Sequence, residues 1–257
     1  MFTIKEIREQ YTAEKQLQDK NTNFWVYLFI RKLSFYPTWL FLRLGLSANQ
    51  ITLLSIIVGL AGCVFFSVGG HVNFIIGAIC INVWAILDCV DGNMARLLNS
   101  SNKYGWFLDS ITGFLLNSVL LFSLGIGIYF NNDNFIHVLS AMFKLSNPQI
   151  ISISVLIIGC LGSISALFYA LIIHLYKNIF TRDLFDLKTI RNNSNSFIGK
   201  IIAVARYFTG FGLIEPLLIF AALFNYVSII VLVFGPINVI AAVYVSIKAI
   251  KAGKIQT

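Results

Sequence analysis

Three carboxylates in apolar surroundings are the residues most able to do chemistry in this chain. The sequence reads Asp88-Cys89-Val90-Asp91-Gly92-Asn93-Met94-Ala95-Arg96 and, after a gap of eight residues, Gly105-Trp106-Phe107-Leu108-Asp109. Charges inside a membrane-spanning segment are expensive and mark a site by default. Helical residues three and four apart share a face. Asp88, Asp91, Gly92 and Ala95 are therefore expected on one stripe, and Asp109 and Gly113 on a stripe of the next helix, with a loop of about eight residues between them. Carboxylates converging without His or Cys suit a hard cation, Mg²⁺ or Mn²⁺. Such an ion would clamp a diphosphate and offset charge developing on a phosphoryl group. Gly92 and Ala95 leave room for a nucleotide against the backbone, and Arg96 can fork onto phosphate oxygens.

The elements that must position these residues are membrane helices. A mean hydropathy of +0.81, with 58% hydrophobic and 12% charged residues, describes an integral membrane protein. Stretches 51–68, 72–87, 105–130, 150–176, 201–224 and 226–247 each approach the roughly 20 residues a spanning helix needs. The expected fold is all-α: six transmembrane helices plus an interfacial amphipathic N-terminal helix. Residues 1–22 read as a polar, mobile cytosolic segment without the features of a signal peptide. Residues 23–46 mix aromatic with basic side chains and are broken by Pro37, as in a helix lying along the membrane surface. The six-helix domain covers 47–250, entered through Ser47 as a helix cap, and 251–257 is a basic tail. Gly159 and Ser163, and Gly162 and Ala166, are small pairs four apart, suited to close helix packing within the monomer or between protomers. Cys63, Cys80, Cys89 and Cys160 have no paired spacing and read as packing residues.

Charge orients the bundle. With the N-terminus inside, only Lys144 of 19 Lys and Arg residues falls in an outer loop, a positive-inside pattern that puts both termini in the cytosol; if the source is bacterial, the membrane is the inner (plasma) membrane. The net charge of +8 then reflects topology and contact with anionic membrane lipids. The basic residues are spread over the inner face, which argues against nucleic-acid binding.

The motif Asp88-x-x-Asp91-Gly92-x-x-Ala95-Arg96, eight residues, Gly105, three residues, Asp109 resembles that of the CDP-alcohol phosphotransferases (the CDP-alcohol phosphatidyltransferase superfamily). The resemblance covers roughly residues 23–200 and is sharp over 88–109. It implies transfer of a phosphoalcohol or phosphatidyl group from a CDP-linked donor to an acceptor at the cytosolic membrane face, with release of CMP, as in phospholipid or phosphodiester-linked headgroup and glycan synthesis. It implies divalent-metal ligation by Asp88, Asp91 and Asp109. Gly92 and Arg96 would contact the nucleotide and diphosphate, with Asn49, Thr52 and Asn102 as further candidates, and the family usually works as a homodimer.

The departure from the family pattern is Gly113, where the family has the Asp that serves as general base. Three explanations stay open. The acceptor oxygen is already anionic; a carboxylate elsewhere (Asp183, Asp186 or Glu215) substitutes; or the chain is a CDP-binding pseudoenzyme. A small transporter is the reading from outside this class, disfavoured because no inverted repeat is visible. Plain structural roles stand beside these. Arg96 can anchor a helix end, Glu215 can satisfy carbonyls freed by Pro216, and Arg191 and Arg206 can anchor the inner face. His71, His137 and His174 carry no metal spacing and receive no role.

Overall fold

The computed structural model describes residues 2–144, 146–180 and 211–254. Among them every regular element is helical: α1 (Ile4–Glu9), α2 (Ala13–Thr22), a π-helical turn (Val26–Ile30), α3 (Arg31–Arg43), α4 (Ala48–Val68), α5 (His71–Leu97), α6 (Lys103–Phe130), α7 (Asn134–Met142), α8 (Gln149–Phe180), α9 (Phe211–Leu223) and α10 (Ser228–Lys254). Five of these, α4, α5, α6, α8 and α10, are long and apolar enough to cross a membrane. The sixth expected span, 201–224, is described only as the 13-residue apolar helix α9. Asp183, Asp186, Arg191 and Arg206 lie outside the described residues.

The polar N-terminal segment, expected to be mobile, is folded into two capped helices. Thr3 closes a capping box with Glu6, and the Thr12 side chain accepts from the Lys15 amide, supplying acceptors to amides that have no partner in the first turn. Tertiary contacts hold the pair down: Ile7 is buried with Phe35 and Leu97, and Asp19 is buried against Arg31. Stretch 23–46 also differs in detail. Asn23 is extended, its Oδ1 accepting from the Val26 amide at 2.9 Å, and α3 runs on unbroken through Pro37. Ser47 caps α4 as expected, accepting from the Gln50 amide while Gln50 Oε1 accepts from the Ser47 amide at 2.8 Å.

In lipid, helices gain little from leaving one apolar medium for another, so close packing and interhelical hydrogen bonds must hold them. The described bundle packs α4 on α5 and α6, α6 on α8, and α8 on α10, around Phe66, Phe74, Ile81, Leu124, Leu218 and Phe234. The small pairs of α8 serve this packing within the chain. A Cβ at Gly159 would stand 2.5 Å from the Leu121 carbonyl oxygen, and one at Gly162 would stand 2.7 Å from the Gly235 Cα. Ser163 Oγ accepts from the Phe122 amide at 2.9 Å. Nearer the end of the bundle, a Cβ at Gly127 would fall on the Phe66 carbonyl oxygen.

At that end the turns lock together. His71 Nε2 pairs with the Leu223 carbonyl at 3.0 Å, and Asn131 Nδ2 donates to the Val68 carbonyl at 3.0 Å. Asp133, fully buried, caps two helices at once. It accepts from the Ile136 amide of α7 at 3.0 Å and from the Ser228 amide and Oγ of α10 at 2.7 and 2.9 Å. Burial raises its pKa, opposed by these same hydrogen bonds. Asp133→Ala would strand three donors without an acceptor, at a cost of about 3 kcal/mol. It is expected to lower the melting temperature in detergent by several degrees, with Asp133→Asn milder; an unchanged Tm would show the clamp to be dispensable.

Candidate functional site

Helix α5 carries the whole Asp88–Arg96 stretch on its last turns and continues to Leu97. The chain reverses over residues 98–102, with Asn99 in the left-handed region (φ 48°). Asn102 Oδ1 then accepts from the Gly105 amide at 2.8 Å to cap α6. The connection is therefore shorter than the loop of about eight residues expected, because α5 runs past the motif and α6 starts two residues before Gly105. This hairpin and the start of α4 surround a cavity of about 390 Å³, at the end of the bundle away from Asp133. Its wall includes Asp88, Asp91, Asp109, Gly92, Arg96, Asn49, Thr52 and Asn102. The structure thus brings together on one cavity every residue of α4, α5 and α6 that the sequence singled out for metal or nucleotide, while Gly113 and Glu215 are not among its described lining residues.

One wall is acidic. Asp91 is 8% exposed, and its Oδ2 accepts from Thr52 Oγ1 at 2.6 Å, so α4 fixes a carboxylate of α5. Asp88 and Asp109 stand on successive helices, α5 and α6, and both line the cavity. Among the described residues no ion pair neutralises any of the three, and no group of three or more His, Cys, Asp or Glu side chains is arranged to hold a metal ion. An uncompensated group of acids is costly in a low-dielectric wall. The three carboxylates offer oxygen donors only, the donor chemistry that Mg²⁺ or Mn²⁺ takes, with an open cavity in front of them. Glycines shape the wall through side-chain contacts. Arg96 folds back over Gly92, where a Cβ would stand 3.4 Å from Nη1, and Asn49 Oδ1 would stand 3.2 Å from a Cβ at Gly105.

The other wall is basic, and the sequence reading missed most of it. Arg31, taken there as an interfacial residue, turns inward and is 7% exposed, while its neighbour Lys32 is exposed. Arg31 Nε donates to Asp19 Oδ2 at 3.1 Å, and Lys15 Nζ pairs with Asp19 Oδ1 at 3.1 Å. Arg31 Nη1 reaches the Cys89 carbonyl at 3.3 Å and Asn93 Oδ1 at 3.4 Å, and Arg96 Nη2 donates to the same Asn93 oxygen at 2.8 Å. Asn93 Nδ2 donates in turn to Ser34 Oγ (3.0 Å) and Thr38 Oγ1 (3.2 Å) on α3. Lys15 and Arg31 both line the cavity. The one signal that could have found Arg31 was the Arg31-Lys32 pair in the middle of an aromatic-rich stretch; nothing local marks Lys15.

Position 113 is open. A Cβ there would meet nothing within 4 Å, and the Gly113 carbonyl accepts from Asn117 Nδ2 at 2.9 Å. Glu215 is 1% exposed, its carbonyl accepts from Asn82 Nδ2 at 3.0 Å, and its Oε2 makes no hydrogen bond among the described residues. The His174 ring stacks on Trp106 of the cavity wall, with centroids 4.9 Å apart, and meets the edge of Phe114 at 5.4 Å.

With this geometry in hand, three similarities bear on the chain. A model of the family described as CDP-alcohol phosphatidyltransferase matches residues 46–234. A phosphatidylinositol phosphate synthase of Streptomyces avermitilis is 31% identical over 124 residues, which are 48% of this chain and 50% of the relative. An archaetidylinositol phosphate synthase of Pyrococcus horikoshii is 33% identical over 84 residues, which are 33% of this chain and 43% of the relative. The aligned part thus spans about half the length of these curated relatives, or less.

Proposed function

The chain belongs to the CDP-alcohol phosphatidyltransferase family, and on that premise we propose that it transfers a phosphatidyl or phosphoalcohol group from a CDP-linked donor to an acceptor, releasing CMP. In this step an acceptor oxygen bonds to the donor's β-phosphorus. The bond from that phosphorus to the bridging oxygen breaks, and CMP leaves with its electrons. The proton of an acceptor hydroxyl passes to solvent or a base. The observation that carries the reading is the single cavity that gathers Asp88, Asp91 and Asp109 with Asn49, Thr52, Gly92, Arg96 and Asn102.

Asp88, Asp91 and Asp109 are the residues that would hold Mg²⁺ or Mn²⁺. When bound, the ion supplies charge neutralisation to the diphosphate and to the phosphate leaving as CMP. Thr52 orients Asp91 from α4. The Gly92 face admits the nucleotide, Arg96 forks onto the diphosphate, and Asn49 and Asn102 frame the entrance. The positive-inside charge pattern supports a cytosolic site, with the donor lipid drawn from the inner leaflet. A homodimer is the assembly that the family resemblance implies. The relatives' names point to a phosphorylated polyol as one acceptor class to try.

The test is CMP release by the purified protein in detergent with Mn²⁺, offered CDP-diacylglycerol, a panel of CDP-alcohols and a membrane extract as acceptor source. Release is expected with at least one donor, to fall to background with EDTA and to return with Mn²⁺. Turnover indifferent to EDTA would remove the cation from the scheme. Cation-dependent CDP binding without CMP would favour the second reading, a CDP-binding pseudoenzyme, which the open position at Gly113 supports.

A further inference from the structure

The basic wall has more charge than its internal pairings use. Lys15, Arg31 and Arg96 face the cavity with Asp19 as the one carboxylate among them. Arg31 is the most constrained of the three. Asp19 holds its Nε at 3.1 Å, while the two bonds of Nη1 are long, at 3.3 and 3.4 Å. Among the described residues Nη2 makes no hydrogen bond. Nη2 is not among the buried unpartnered side-chain atoms and Arg31 lines the cavity, so this spare donor is open to an anion there. Arg31 also shares the Asn93 oxygen with Arg96, so two like charges converge beside one neutral amide. An oxyanion between them would relieve that repulsion and fill their forks. A role limited to pinning α2 and α3 onto α5 would need neither the spare nitrogen nor a place on the cavity wall.

We propose that Arg31, oriented by Asp19 and Asn93, binds a phosphoryl oxyanion in this cavity, so that α2 and α3 form a working wall of the site and not only its support. The assignment rests on the function proposed above, and it names a ligand-binding residue that the motif does not contain. Two sources share this ligand chemistry: the diphosphate of the donor and a phosphate carried by the acceptor.

The full-length protein in detergent with Mg²⁺ would be titrated calorimetrically with CDP and, separately, with inorganic phosphate. The variants are Arg31→Gln, Arg31→Lys and, as a control for charge alone, Lys32→Gln, each with its melting temperature. Arg31→Gln is expected to weaken binding about 10- to 100-fold, the worth of one charge-assisted hydrogen bond, while Lys32→Gln binds as the wild type does. A loss confined to CDP assigns the oxyanion to the donor, and a loss confined to inorganic phosphate assigns it to the acceptor. Unchanged binding of both in a variant of wild-type Tm would overturn the proposal, as would a wild type that binds neither. If Arg31→Gln does not fold, Arg31→Lys decides, because it keeps the charge for Asp19 and loses the fork. Several-fold weaker binding supports the role, and wild-type binding ends it. A protein that binds these probes through Arg31 and never releases CMP would refute the transferase reading and leave this one standing.

Discussion

Asp91→Asn is expected to reduce CMP release by about 10²–10³-fold or more, the usual cost of removing one electrostatic contact at a reacting phosphoryl or acyl group. Asn is nearly the same shape, and its Oδ1 can still accept from Thr52 Oγ1, now at 2.6 Å from Asp91. Loss of fold is therefore not expected, and Tm should stay close to that of the wild type. What disappears is the charge. Asp88 and Asp109 then face the cavity with one carboxylate fewer to hold a divalent ion, and CDP binding should become insensitive to EDTA. Rates measured at saturating Mn²⁺ separate weaker metal affinity, which more Mn²⁺ recovers, from a lost contact in the transition state, which it does not. A variant within tenfold of wild type at every Mn²⁺ concentration would take Asp91 out of the mechanism.

Gly113→Asp is expected to speed the reaction. The new Cβ meets no atom within 4 Å, and one helical turn puts the new carboxylate on the face of α6 that carries Asp109. A positioned general base is typically worth about 10²–10⁴ in rate, so an acceptor that reacts through a neutral hydroxyl should gain at least tenfold. The gain should appear in kcat with little change in the KM for the donor, and it should depend on pH as a carboxylate titrates. No gain at any pH would mean that proton removal does not limit turnover. That result points to an acceptor already anionic at its attacking oxygen, or to another group that accepts the proton. Faster turnover would leave the bundle unaltered, since α6 gains a side chain in free space.

What the sequence made legible is what lies close together in it. Asp88, Asp91, Gly92 and Ala95 follow one helical stripe, and Asp109 needs only a tight reversal to face them, so spacing alone predicts their meeting. The same holds for Ser47, whose capping partner Gln50 is three residues away. The basic wall has no such shorthand. Arg31 meets Asp19 across 12 residues and Asn93 across 62, and only the packing of α2 and α3 on α5 creates those pairs. Asp133 and Ser228 are 95 residues apart, and nothing local marks either as a clamp. Pro37 misled for the opposite reason. It breaks a helix on propensity, yet α3 continues through it where Ser34 and Thr38 are tied to Asn93. Six spans were counted from hydropathy, and five of the described helices reach spanning length.

The glycines divide the bundle mechanically. Toward the Asp133 end and the middle of the bundle, the nearest atom to a Cβ at Gly69, Gly127, Gly159 or Gly162 is a backbone atom of another segment. Around the cavity, Gly92 faces the end of Arg96, Gly105 faces the ends of Asn49 and Asn102, and a Cβ at Gly113 would meet nothing within 4 Å. A packed backbone has one arrangement, whereas side-chain ends have several rotamers. The molecule is therefore stiff at one face of the membrane and compliant at the other. Amide exchange should be slowest near residues 66–69 and 121–127 and faster around 96–109. Small rearrangements at the cavity can then take place while the far end of the bundle stays clamped.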